Sequence, residues 1–309
     1  MSEKPHEKIL HRELHVHDAK VHYSDQDATL VDIVNYGTNL VPSCLASSPG
    51  QLADIVVVTV LLKQVVLMLD AFQVLTANAC SDAAQLQARS LFEASIYIDW
   101  MLLGETEKKA RYYYVSNVRR EREWALRTIP EKSEHRKFFD GLGEFGESLE
   151  EARKENEADA TARLAEIDGF LSKEPFASVS ADFEKSRGSR NHDPVWHAPL
   201  GESSVRALAK AVDRLPEYEI FYGQTSETSH ASRHTAHVKI RKGEIIMEPI
   251  RHLEGLKATM HFAISATLHT YRRVLEAYRP GQLPEFSHRY IEDWQGAVMN
   301  IKNVTYSSK

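Results

Sequence analysis

The stretch IVVVTVLLKQVVLMLDAFQVL, residues 55–75, constrains this chain more than any other. A run this apolar either crosses a membrane or sits inside protein. Lys63, Gln64 and Asp70 interrupt it, and a charged side chain at a bilayer centre costs roughly 2.5–3.5 kcal/mol. The run is too broken for a membrane span and predicts a helix over about residues 52–79, packed against other protein. Its Val-rich first half also suits a strand, but the unbroken length favours helix.

The elements that pack with it are legible in turn. From Asp27 to the Pro49-Gly50 break, Leu30, Ile33, Val34 and Leu40 recur at helical spacing. Ser81 or Asp82 is a good N-cap for AAQLQARSLFEASIYIDWMLL, and Gly104 ends that helix. Thr106 opens the next, which Pro130 terminates. Residues 131–173 alternate in charge and carry Gly141, Gly143 and Gly146, which predicts a short helix and then a solvated one, projecting as a hairpin. RGSRNHDPVWHAPLGES reads as a long loop, and Pro216 opens a helix carrying Tyr218 and Tyr222. HVKIRKGEIIME alternates apolar and polar residues about Lys242-Gly243, a β-hairpin signal. A last long helix ends at Pro280.

The expected class is therefore mainly α: a single helical-bundle-like domain over residues 27–279. It carries a charged helical excursion at 131–173 and one small β-hairpin at 237–248. A polar segment, 1–26, precedes it, with its histidines on the surface, and a tail helix, 280–309, follows.

Composition narrows the function. The net charge is −6 over 309 residues, with no block of basic residues, so the positive face of a duplex-DNA binder is not expected. A local cationic pocket for one RNA strand, or for a small ligand, fits. Cys44 and Cys80 form no C-x-x-C pair, which argues against disulfides or thiolate zinc and fits a reducing cytoplasm. The N-terminus lacks the apolar core of a signal peptide. Walker, G-x-G-x-x-G, G-x-S-x-G and H-E-x-x-H patterns are missing from the sequence, and no cofactor is expected. A homodimer is compatible with all of this.

Two places could carry chemistry. Arg89 and Glu93 lie four apart on a largely apolar helix, which places the pair inside protein and in need of partners. The order Arg-before-Glu is the less favourable one for a surface pair. The other place is YEIFYGQTSETSHASRHTAHVKI, residues 218–240. On a helix its Tyr218, Tyr222, Ser226 and His230 form a slanting polar stripe. Facing the Arg-Glu pair, these hydroxyls and the imidazole would satisfy it and make a pocket that exchanges protons near neutral pH. His230, His234 and His237 raise a metal alternative, but the hairpin signal starts at about His237, so helical alignment fails for two of the three. No metal site is expected. Arg187 to His192, RGSRNH, formally matches the R-x4-H pattern of HEPN ribonucleases, yet it lies in a loop and not on a helix.

ARSLFEASIYIDWML and YEIFYGQTSETSH, with PVWHAPLGESSVRALAKAV between them, resemble a bacterial family of helical proteins of unknown function. Its members pair an R-[ST]-L-x-E helix with a later Y-x3-S-x3-H helix. The resemblance spans roughly residues 55 to 275 and implies a shared site of Arg89, Glu93, Tyr222, Ser226 and His230, with Trp196. The architecture is also similar to HEPN-type domains of toxins and antiviral-defence effectors, a fold-level analogy. Two main expectations follow. One is a HEPN-like ribonuclease with Arg89 on the phosphate, His230 as acid or base and Glu93 as orienter. The other is a non-catalytic ligand-sensing or interaction module. A metal-dependent hydrolase built on Glu93 and the histidines ranks third.

Overall fold

The 55–75 run is a helix, and its burial follows from its spacing. In the computed structural model, which describes residues 9–47, 54–190, 192–222, 238–241, 244–247 and 249–306, helix α2 spans Asp54–Ala77. Ile55, Val58, Leu62, Val65, Leu69 and Phe72 recur at alternating steps of three and four and are buried. Helices α1 (Arg12–Leu45), α3 (Ser81–Leu102) and the long Leu256–Tyr278 helix pack on α2. The chain is mainly α.

Contacts divide the chain into two compact units: Met1–Gly104 with Val205–Lys309, and Glu105–Ser204. The first unit holds the apolar core, with Phe72, Phe92, Leu62, Leu69, Ile96 and Tyr271 fully buried. Gly37 lets α1 approach the Leu256–Tyr278 helix closely. Any Cβ there would collide with the Tyr271 ring, whose hydroxyl donates to the Ile33 carbonyl at 3.2 Å. Helix α1 begins fifteen residues earlier than the sequence suggested, at Arg12 and not Asp27, because a kink at Tyr23 lets the polar segment continue the helix. Tyr23 is buried there, and its hydroxyl reaches the Lys302 carbonyl. The expected tail helix runs from Leu283 to Met299 with a π-turn at Tyr290–Trp294.

The second unit contains α4 (Thr106–Thr128), α5 (Ser133–Leu142), α6 (Glu144–Leu171) and α7 (Phe176–Arg187). The alternating charges of residues 131–173 do form a short helix and a long one. Helix α6 is nevertheless not solvated all round: Leu164, Ile167 and Leu171 are buried, and α6 packs on α4. One row of aliphatics at spacings of three and four is enough to dock a helix whose other faces are charged.

The expected hairpin is present. Strands β1 (Val238–Arg241) and β2 (Glu244–Met247) pair antiparallel, with Val238 opposite Met247 and Arg241 opposite Glu244.

Candidate functional site

Helix α3 carries the site, and its capping signals explain where it starts and stops. It opens at Ser81 and ends two residues before Gly104, whose φ of 129° suits glycine. Arg89, Glu93 and Tyr97, at four-residue steps, share one face. Across from them, Leu215–Glu217 forms one helical turn that continues as a π-turn, Tyr218–Tyr222. The wider winding brings Tyr218 and Tyr222 nearly one above the other. Their rings stack at 4.6 Å with 22° between planes. Such single π-turns recur at functional sites.

The Tyr222 hydroxyl joins the two elements. It accepts from Arg89 Nη2 at 3.1 Å and donates to Glu93 Oε2 at 3.1 Å. Tyr97 donates to the other oxygen, Glu93 Oε1, at 2.7 Å. The Arg89 guanidinium also lies over the Tyr222 ring, 4.3 Å from its centre, a cation–π contact. Burial pushes the Tyr222 phenol above its ordinary pKa, and the Glu93 charge adds to that while Arg89 opposes it. Tyr222 is therefore a neutral proton donor at physiological pH. The Arg89–Glu93 pair was expected inside the protein. Both side chains are in fact half-buried, although Tyr222 itself is buried. The reason is that α3 lays its other faces on α2 and the Leu256–Tyr278 helix, leaving this one at the margin.

The charge pair that is truly inside is a different one, six residues further along α3. Asp99 and Arg214 side chains are 5% and 6% exposed and meet at 2.8 Å. Arg214 also donates to Ser95 Oγ at 2.6 Å, and it reaches Glu217 through Nη2 at 2.6 Å and Nε at 3.0 Å. Thr270 donates to Ser95 at 2.8 Å. His269 Nε2 sits 3.0 Å and 3.1 Å from the two Asp99 oxygens, and Arg273 Nε lies 3.5 Å away. Burial alone would raise the Asp99 carboxyl. Hydrogen bonding and charge from His269 and Arg214 outweigh it and hold the carboxyl below its usual value. The guanidinium of Arg214 lies 4.8 Å from the Phe92 ring centre. Sequence reasoning missed this network. The available signal was Asp99 itself, a lone carboxylate inside IYIDWML, where every neighbour belongs in a core.

A family model, described as a family of unknown function (DUF5677), matches residues 55–244. The chain belongs to the DUF5677 family. The matched span contains Arg89, Glu93, Asp99, Arg214 and Tyr222, so both networks include residues of the family region. No curated protein and no solved structure matches the chain.

The other residues singled out in this DUF5677 chain fall elsewhere. Ser226, His230, His234 and His237 lie outside the described residues. Among the described residues, no group of three or more His, Cys, Asp or Glu could hold a metal ion. Trp196 belongs to the Glu105–Ser204 unit, where it is buried edge-on against Tyr113 at 5.3 Å. The R-x4-H pair also lies in that unit. Arg187 ends α7 and is tied to Glu184, with Asp193 at 3.6 Å, so its charge is already partnered. His192 lines a small cavity of 170 Å³ with Arg120 and Glu123.

That unit has its own buried arginine. Arg119, 8% exposed, meets both oxygens of Asp193 at 2.7 Å and 3.0 Å, Glu184 at 2.7 Å and the Ser180 hydroxyl at 2.7 Å. It borders a cavity of 770 Å³ that also takes in Arg122, Arg127 and Arg187. Arg122 pairs with Asp168 at 2.6 Å and Arg127 with Glu123 at 3.8 Å. Arg119 and Arg122 thereby tie α4 to α7 and α6, whereas Arg127 pairs within α4 and Arg187 within α7.

Proposed function

We propose that the Arg89–Tyr222–Glu93 cluster is a recognition site for a phosphate-bearing ligand, and that the protein acts first as a ligand-sensing module. One observation carries this reading: both Glu93 oxygens accept from phenols, Tyr97 and Tyr222, while the Tyr222 oxygen takes a hydrogen bond from Arg89. A carboxylate occupied in this way is a poor general base, whereas the string as a whole is preorganised. It fixes a guanidinium beside a stacked pair of tyrosine rings without further ordering cost. A guanidinium suits phosphate, and a half-buried ring such as Tyr218 suits a planar base. A single RNA strand supplies both groups together.

A HEPN-like ribonuclease, of the kind found among antiviral-defence effectors, is the second reading. What favours it is that a protonated phenol bridges a cation and an anion. Those groups can stabilise phosphate charge and pass a proton, with His230 completing the chemistry as acid or base.

One experiment separates the two. Purified protein is titrated with fluorescently labelled single-stranded RNA, and the RNA is then examined for cleavage with and without chelator. Arg89→Ala, Tyr222→Phe and His230→Ala run alongside. Binding that weakens at least tenfold in Arg89→Ala, with intact RNA throughout, supports recognition. Cleavage that survives chelator and is lost in His230→Ala supports the nuclease. RNA affinity unchanged by Arg89→Ala sinks both.

A further inference from the structure

Helix α2 lays its buried sides on α1, α3 and the Leu256–Tyr278 helix, and its remaining side carries a row of aliphatics among polar residues. Val60, Leu67 and Val74 are 52%, 52% and 51% exposed. Seven residues separate each from the next, so they line one edge of the helix over about 21 Å. Gln64 and Ala71 fall between them at steps of four and three, the spacing of a two-helix seam. Lys63 and Asp70, both exposed, flank the seam on one side, again seven apart. Single exposed aliphatics are ordinary on any protein surface. Three in heptad register, spaced by Gln64 and Ala71, form a strip along the helix.

Two kinds of occupant could cover such a strip. Lipid is disfavoured, because Lys63, Gln64 and Asp70 belong to the same exposed side. We propose that the strip is covered by the same strip of a second copy, running antiparallel, with the two-fold axis at Leu67. A two-fold axis at that residue sets Leu67 against Leu67 of the partner subunit and Val60 against Val74 of the partner subunit. The charges then decide the direction. In an antiparallel seam the flanking positions on one side meet their own kind, so Lys63 faces Asp70 of the partner subunit. Symmetry repeats the pair, with Asp70 facing Lys63 of the partner subunit. A parallel, in-register seam would instead put each charge level with its own copy and lose this complementarity. The inference is independent of the ligand reading, since none of these residues belongs to the Tyr222 cluster.

The test is sedimentation of the full chain over a concentration series, with three variants. The native chain sediments as a dimer at high concentration. Leu67→Glu sets two carboxylates at the two-fold axis and weakens the dimer at least tenfold, while circular dichroism remains native because the position is exposed. Asp70→Lys alone places lysines against each other and also weakens it. Lys63→Glu combined with Asp70→Lys restores the native dissociation constant, a rescue that a merely damaged helix would not show. Direction is read by cross-linking in a Cys80→Ser background. Val60→Cys and Val74→Cys copies form a disulfide when mixed, and neither does so alone. A chain that is monomeric throughout overturns the proposal, as does a dimer indifferent to Leu67→Glu. Self-cross-linking of Val60→Cys would overturn the antiparallel direction. Co-sedimentation with phosphatidylcholine vesicles that is lost in Leu67→Glu would make the strip a lipid contact.

Discussion

Helix α3 bears two charged networks that differ in depth, and the contrast separates what holds the fold from what is left to meet a ligand. On one face, Asp99 and Ser95 are shut in with Arg214 and Thr270, and the more exposed Glu217, His269 and Arg273 lead outward. On the other, Arg89 and Glu93 are half-buried and share a single phenol. A buried ion pair is costly to form and costlier to break, because a lone charge left behind has neither water nor partner. A half-buried pair keeps access to water and can exchange its partners. The inner network thus belongs to the architecture, and the outer one is where binding energy can be gained.

The sharpest way to break this contrast is to cut each network once. Asp99→Ala takes the buried carboxylate from Arg214, which keeps the more exposed Glu217 as its anion, and should cost about 3 kcal/mol, the low end for a broken buried pair, read as a large fall in the urea midpoint. Glu93→Ala should cost about 1 kcal/mol, since Arg89 and the phenols can turn to water. Equal costs for the two substitutions would erase the distinction. Arg119→Ala in the second unit should fall between them, at roughly 1.5–3 kcal/mol. Arg119 is buried, but of its two carboxylate partners Glu184 is 51% exposed and is resolvated easily, and Asp193 keeps Arg187 at 3.6 Å.

Acid titration sharpens the same point. The folded Asp99 carboxyl has a lowered pKa, below its ordinary 3.8. Its contribution to stability is therefore present above about pH 4 and is lost as pH falls through the folded-state value. Melting curves of the native chain and Asp99→Asn should accordingly differ at pH 7 and converge as the pH falls below about 4. Curves that stay parallel across that range would show that Asp99 does not titrate with folding.

Much of the fold could be read from the sequence because it is written locally. The 55–75 run, Gly104, Pro130 and the alternation about Lys242-Gly243 each announce a helix, an end or a strand pair within a few residues. The Arg89–Glu93 face was legible for the same reason, since four-residue spacing on one helix is a local fact. Its depth was not. Whether a charge is buried depends on what packs against it, and here the deciding elements lie far away in the chain. Asp99 meets Arg214 across 115 residues and His269 across 170. No pattern near Asp99 names either partner. The π-turn at Tyr218–Tyr222 was equally hidden, because an α-helix and a π-turn draw on the same residues. The division into two units had no linker to reveal it: Gly104 and Ser204, at its borders, read only as the punctuation of helices.

The smallest expected effect bears most directly on function. Tyr222→Phe removes one oxygen and keeps the ring, so the stack on Tyr218 and the cation–π contact with Arg89 both survive. What is lost is one donor to Glu93 and one acceptor for Arg89, at half-buried groups that can recruit water. The stability cost should be about 1 kcal/mol, small enough that the protein stays folded for assay. If the phenol only tethers α3 to the π-turn, ligand affinity will be unchanged and the melting temperature will drop slightly. If it fixes the guanidinium for phosphate, the affinity for single-stranded RNA will fall, and Tyr222→Phe will add little further loss once Arg89→Ala is in place. Non-additivity in that cycle is the decisive reading, because residues that act through one another cannot be removed twice. Fully additive losses would mean that Tyr222 and Arg89 contact the ligand separately, and the preorganised string would then have no part in recognition.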